Sequence, residues 1–319
     1  MKKSIASLLF LLLNFASFSQ KIENTTSFRD IKSNNYFRFN YDNDYFTATD
    51  KNYTQGYSFE LVSPYFKTNP ANYWFLKPKN SETKYGLTVE HIGFTPANYS
   101  TSEILYGDRP FAAAIFLKST AIATDTLQKT RLVSTLNLGF IGQGAFGKEM
   151  QVGIHEATKN VIPMGWHNQI RNDLVLNYEI NFEKQLFRYS NLFSLQATSN
   201  AKLGTLFTNT SLGLNATFGI INSPFTSYKN KNKWQIYFFT HAWATAVGYD
   251  ATLQGGLFNK TSPYTLSSSE IERFTAQTHY GFILQTKSVY WEYFQTVHTR
   301  EFRTGDAYKW GGIKIGFKI

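Results

Sequence analysis

No cysteine occurs in the 319 residues, so the chain has neither a disulfide framework nor a lipid-modified N-terminal cysteine. Past the opening stretch there is no uninterrupted run of 18 apolar residues, which excludes membrane-spanning helices. The Gly-x-Ser-x-Gly turn of α/β-hydrolases is missing, and so is a His-x-Ser-Asn-Gly strand motif. Internal repeats, low-complexity linkers and composition breaks are absent too, which makes one domain over residues 20–319 the economical reading.

What is present starts with Lys2-Lys3, a mostly apolar run from Ile5 to Leu13, and small residues around Ser17-Phe18-Ser19. That order describes a secretory signal peptide over residues 1–19, too short to span a membrane. Its removal takes two lysines and no acid, so the formal charge falls from +10 to +8. A soluble secreted β-protein and an outer-membrane barrel both remain. The 29 Phe, 20 Tyr and 6 Trp favour the barrel, because they can furnish interfacial aromatic girdles.

The clearest strand runs from Ile170 to Glu183. Ile170, Leu174, Leu176, Tyr178, Ile180 and Phe182 share one parity, and Arg171, Asp173, Asn177, Glu179, Asn181 and Glu183 the other. Only Asn172 and Val175 break this alternation, the signature of a strand with lipid on one face and a polar lumen on the other. Similar segments cover 36–45, 53–65, 84–94, 111–123, 131–141, 192–202, 208–221, 234–249, 271–286, 289–299 and 308–319. The total is twelve, an even number as bacterial barrels require, and the last segment is expected to close on the first. One stretch departs from period two. In residues 145–160, Phe146, Met150, Ile154 and Ala157 recur at three- and four-residue steps, predicting a short amphipathic helix.

Two groups of residues carry chemistry. Asp42, Asn43, Asp44 and Asp50 fall within nine residues, and closely packed hard oxygens suit Ca²⁺. The same residues also suit a solvated turn. Gln151 and His155, four apart on the expected helix, share one face. Alternation along 37–45 sets Asp42 and Asp44 on one face and Asn43 on the other. The strand therefore ends or bulges near 41–43, or Asn43 works from the outer wall.

Asp42-Asn43-Asp44, Tyr53-Thr54-Gln55-Gly56, Gly107-Asp108-Arg109-Pro110-Phe111-Ala112, and Gln151-x₃-His155 followed by Gly165-Trp166-x-Asn168-Gln169 occur in this order. Together they resemble the lipid A 3-O-deacylase (LpxR-type) family of outer-membrane enzymes, over most of the chain after residue 19. The resemblance implies a twelve-stranded barrel in the bacterial outer membrane with its site near the outer-leaflet end of the wall. It also implies calcium dependence and removal of acyl chains from the 3′ position of lipid A. By similarity Asn43 and Asp44 match the family's Asn-Asp pair, Thr54 its hydroxyl residue, and Gln151 and His155 its helical Gln and His. The pattern departs at Val161, where the resemblance implies an acid; the nearest acid is Glu156.

The residues themselves allow a matching chemistry. With no serine motif, water is the expected nucleophile and His155 the general base, since an ordinary imidazole titrates near pH 6.5. Calcium on Asp44, with Asp42 or Asp50 recruited, would polarise the ester carbonyl and stabilise the oxyanion. Asn43 and Thr54 would hold water or ester in line, and Gln151 would orient the imidazole. Lys79, Lys84, Arg109 and Lys118 are candidate phosphate contacts, with Arg109 alone in a family-like block. His91, His241, His279 and His298 are expected in lumen or girdle positions, and His167 in a loop. Net positive charge suits an anionic lipopolysaccharide surface; no basic, aromatic-laced module argues for nucleic acid. The expected protein is a monomeric lipid A esterase among outer-membrane lipid. A non-catalytic barrel (pore or structural protein) and a barrel phospholipase are the alternatives.

Overall fold

The computed structural model describes residues 23–47, 52–226 and 234–319, so the signal segment 1–19 and Asp50 lie outside the described residues. Twelve strands close into an antiparallel barrel: β1 (Tyr36–Asn43), β2 (Asn52–Val62), β3 (Glu82–Thr95), β4 (Ala112–Asp125), β5 (Thr130–Ile141) and β6 (Asp173–Tyr189), then β7 (Phe193–Gly204), β8 (Phe207–Ile220), β9 (Gln235–Asp250), β10 (Phe274–Gln285), β11 (Val289–His298) and β12 (Tyr308–Lys318). Each pairs with its sequence neighbours. β12 pairs with β1 from Tyr36↔Lys318 to Asn43↔Gly311, so no edge is left open to lipid.

Period two fixes which side chain meets which medium. On β6, Asp173, Asn177, Glu179 and Glu183 are buried in the lumen, while Leu174, Leu176 and Phe182 are exposed on the outer wall. The strand starts three residues later than the pattern suggests and runs six further. Ile170 is tied to the preceding loop through its amide and the Phe111 carbonyl (2.9 Å). Of the two breaks in the alternation, Asn172 precedes the strand, and Val175 is an apolar lumen residue in the same cluster as Ile92 and Phe94.

The connections at one rim are long (residues 96–111, 142–172 and 251–273), which marks the side facing the cell exterior. The opposite rim has tight turns, such as residues 190–192 and 286–288, and longer connections, among them an excursion over 63–81. In that excursion the Leu76 amide meets Ser134 Oγ (3.2 Å) and the Tyr178 hydroxyl donates to the Trp74 carbonyl (2.7 Å). The first of these bonds satisfies an otherwise anomalous outward serine.

The lumen is filled. Towards the exterior, Tyr53 packs on Phe94 and Trp310, with ring centroids 5.3 and 4.9 Å apart. Arg109 lies 4.1 Å over the Phe94 ring and pairs with Glu301 at 2.7 Å. Towards the periplasm, residues 23–35 enter the barrel. Asp30 sits between Lys84 (2.9 Å), Arg131 (2.8 Å) and Lys32 (3.1 Å). Burial alone would raise the Asp30 carboxyl, but these three cations outweigh it and hold the group well below the ordinary carboxylate range.

A carboxyl held low in the folded state stabilises fully above its unfolded value of about 3.9 and progressively less as pH falls through the folded value. Melting of the detergent-solubilised barrel, followed by its heat-modifiable gel mobility, is therefore expected to lose stability below about pH 4. Asp30→Asn should melt lower at neutral pH and lose part of that acid dependence.

Candidate active site

At the outward rim β1 stops at Asn43, and Asp44–Thr47 turns as a 3-10 helix. Strand parity therefore does not bind Asp44. Asn43 stays on the outer face: its Nδ2 donates to the Tyr41 hydroxyl (3.3 Å) and its Oδ1 accepts from the Tyr45 amide (2.8 Å). The last β1–β2 rung is Asn43↔Gln55, so Asp44 and Thr54 leave the ladder from opposite sides of the same rung.

Thr54 is the extra residue of a bulge, because the β2–β3 register jumps between Tyr53↔Phe94 and Gln55↔Gly93. A bulge re-aims a side chain against simple alternation. Here it sends Tyr53 into the lumen, where its hydroxyl donates to Asp42 Oδ1 (2.7 Å), and frees Thr54 to meet the loop helix.

That helix, α1 (Gly147–Thr158), buries Gly147, Gln151 and His155, one face at four-residue steps. It lies on the outer wall. A Cβ on Gly147 would come 2.4 Å from the Cβ of Ala113, which has the outward parity of β4 opposite to lumen-facing Lys118. Of the apolar stripe that marked the helix in the sequence, Phe146 and Ala157 are exposed and Met150 and Ile154 half-buried. The helix is inside out by the standard of a soluble protein. Its polar pair faces the wall and its apolar stripe turns away, as suits a helix bordered by lipid.

Gln151 does not orient the imidazole as expected, since both ends of its amide are engaged elsewhere; it joins the two halves of the site. Its Nε2 donates to Thr54 Oγ1 at 2.9 Å, and its Oε1 accepts from Trp166 Nε1 at 2.7 Å. The indole, an obligate donor, thereby fixes the amide orientation. Trp166 is held on Phe111, with ring centroids 5.0 Å apart. His155 follows one turn along the same face, about 6 Å along the axis. Its Nδ1 lies 2.6 Å from the Val161 carbonyl, and Tyr99 packs edge-on at 5.4 Å. A carbonyl only accepts, so the proton sits on Nδ1 and the lone pair on Nε2. The substitution at 161 leaves this contact intact, since it is made by backbone. The Val161 side chain itself is exposed.

Other expected site residues are placed elsewhere. Asp42 is buried in the lumen, with Tyr53 on one oxygen and Asn40 (3.2 Å) on the other, so it is withdrawn from the outer wall. Arg109 is fully enclosed between Glu301, Thr252 and Phe94 and turns no guanidinium outward. Lys84 and Lys118 are lumen residues paired with Asp30 and Glu90, and Lys79 sits in the turn at the opposite rim. Parity could have excluded the two lumen lysines. His241, His279 and His298 face the lumen, whereas His91 stacks on Tyr57 (5.0 Å) on the outer wall. Trp166 was read as part of a block; its role as anchor of Gln151 had no signal in spacing.

Among the described residues no group of three or more His, Asp or Glu side chains could enclose a metal ion. Asp44, Asn43 and Thr54 fit calcium in chemical type, as hard oxygens, while bringing one negative charge where six to eight oxygen ligands are needed.

A family model described as "Outer membrane protein LpxR" matches residues 5–319. Among solved structures, LpxR from Salmonella typhimurium aligns with 89% of this chain and 100% of its own at 19% identity, with a TM-score of 0.74. The beta domain of the Bordetella autotransporter BrkA covers 89% of this chain and 99% of its own at 9% identity and a TM-score of 0.45. No curated protein sequence matches.

Because Gly147 has no room for a Cβ between Ala113 and Trp166 Cη2 (2.7 Å), Gly147→Val is expected to lift α1 from the wall. Limited proteolysis should then cut within residues 142–172 while heat-modifiable mobility shows an intact barrel. A loop as resistant as in the unsubstituted chain would contradict this packing.

Proposed function

The chain belongs to the LpxR outer-membrane protein family, and from that premise we propose that it hydrolyses ester-linked 3′-acyl chains of lipid A at the outer leaflet. The single observation that carries the proposal is the Gln151–Thr54 hydrogen bond (2.9 Å) on the lipid side of the wall. It brings the helical Gln-His pair against the β1–β2 rim, where the ester of a leaflet lipid would lie.

The proposed reaction needs no covalent intermediate. The His155 Nε2 lone pair takes a proton from water as the water oxygen bonds to the ester carbonyl carbon. The Val161 carbonyl holds the ring by its Nδ1 proton. When the tetrahedral intermediate collapses, the carbon–oxygen bond to the sugar breaks and the proton passes from Nε2 to the leaving oxygen. The products are a fatty acid and the sugar hydroxyl. Thr54 and Asn43 would position the water and the ester, with Gln151 fixing Thr54. Calcium, held by Asp44 with Asn43 and Thr54, would supply positive charge where the oxyanion develops. The filled lumen argues against a pore. The barrel is proposed to work as a monomer.

Purified protein incubated with lipid A and Ca²⁺ is expected to release 3′-linked fatty acid, read by mass spectrometry. His155→Ala should lower the rate by roughly 10²–10⁴, the usual worth of a general base. Release unaffected by that change would refute the proposal, and faster turnover of glycerophospholipid than of lipid A would make it a phospholipase instead.

With so few charges on the metal, calcium affinity measured by calorimetry is expected in the weak class, roughly 10⁻⁴–10⁻³ M. Asp44→Asn should abolish it, whereas Asp42→Asn should not.

A further inference from the structure

The lumen of this barrel holds a segment that the hydrolytic site does not use. Residues 24–31 run inside the wall and meet six of its charged residues. Arg29 pairs with Glu292 at 2.6 Å and also touches His279. Asp30 pairs with Lys84 and Arg131. The Ser27 amide and hydroxyl bind the two Glu183 oxygens at 2.8 and 2.6 Å. Arg38 donates to the carbonyls of Arg29 (2.9 Å) and Asn24 (2.8 Å), and Lys314 to Asn24 Oδ1 (2.7 Å). All six wall residues are buried.

The fit is apolar as well as charged. Phe28 stacks on Phe239 with centroids 4.5 Å apart, and its carbonyl accepts from the Tyr237 hydroxyl at 2.6 Å. The Arg29 guanidinium lies 4.9 Å over the Phe28 ring and 5.2 Å over Phe239. Both charged side chains of the segment, Arg29 and Asp30, meet wall groups of opposite sign. That is how a recognition site treats a ligand, since a buried charge without its partner is costly.

We infer that the periplasmic half of the lumen is a peptide-binding site, and that its ligand is the chain's own residues 23–33, recognised through adjacent Arg29 and Asp30 and the Phe28 ring. The outward half is sealed separately by Tyr53, Trp310 and the Arg109–Glu301 pair. Release of the segment therefore opens a charged cavity towards the periplasm and no through-channel. The inference stands apart from the hydrolase reading, as neither needs the other.

The absence of cysteine makes the test direct. Thr88 is buried and lines the lumen cavity beside Glu23, Asn24 and Thr25, so Thr88→Cys in the full chain reports access to a bulky, membrane-impermeant maleimide. Labelling is expected to be slow, and faster by at least about tenfold when Arg29→Ala and Asp30→Ala are added; tenfold corresponds to 1.4 kcal/mol of docking. A synthetic peptide of residues 23–33 added to that variant should restore protection, and one carrying Arg29→Glu should not. If the double variant fails to fold, Phe28→Ala in the full chain carries the same test, because it leaves no charge unpaired. Equal labelling with and without the substitutions in a folded barrel, or protection by both peptides alike, would overturn the inference. So would ion conductance in planar bilayers on release of the segment.

Discussion

Lipid tolerates almost nothing polar on the outside of a strand wall, and strand alternation leaves no freedom about which residues face it. Chemistry on a lipid held in the leaflet must nevertheless be placed on that outer face. Thr54 and Gln151 meet the difficulty from two directions. A bulge in β2 takes Thr54 out of strict alternation, and α1 brings an amide and an imidazole over the wall from above while turning its own apolar residues outward. The 2.9 Å bond between them is where the two devices join, and its burial between helix and wall is what makes a polar contact affordable at membrane depth.

Support for that bond extends outward in a short chain. Trp166 orients the Gln151 amide, Phe111 seats Trp166, and Ala113 with Gly147 allows helix and wall to approach closely. His155 is held independently, through the Val161 carbonyl. The position where the family pattern implies an acid thus still serves the histidine, since its backbone and not its side chain makes the contact. What the valine lacks is a charge; the backbone contact to the ring does not depend on it. On the far side of the wall the lumen is closed twice, by aromatics and Arg109 outward and by the N-terminal segment periplasmically. The two faces of the barrel therefore have separate duties.

Much of the architecture was legible because a period of two survives any local noise. All twelve strands fall near where alternation puts them; β6 starts later, where Ile170 is captured by a loop amide bond, and runs on to Tyr189. The helix was legible in position and not in orientation: a 3.6-residue stripe does not say whether the medium beyond it is core or lipid. Gln151 and His155 could be paired by their four-residue spacing. Asp42 and Arg109 lie away from the outer wall because proximity in sequence says nothing about which side of a wall a residue faces, although parity could have placed Asp42 and the lysines of β3 and β4 inside. The bulge at Thr54 and the lumen-filling segment carry no periodic signal, since both depend on partners distant in the chain.

The most direct test of the joined site is a double-mutant cycle on fatty-acid release from lipid A, using Thr54→Ala, Gln151→Ala and the pair together. Two groups that act through one hydrogen bond lose their function once, so the double variant is expected to be no slower than the worse single variant, within a few tenths of a kcal/mol. Losses that add in full would contradict the account, because Thr54 and Gln151 would then be acting apart.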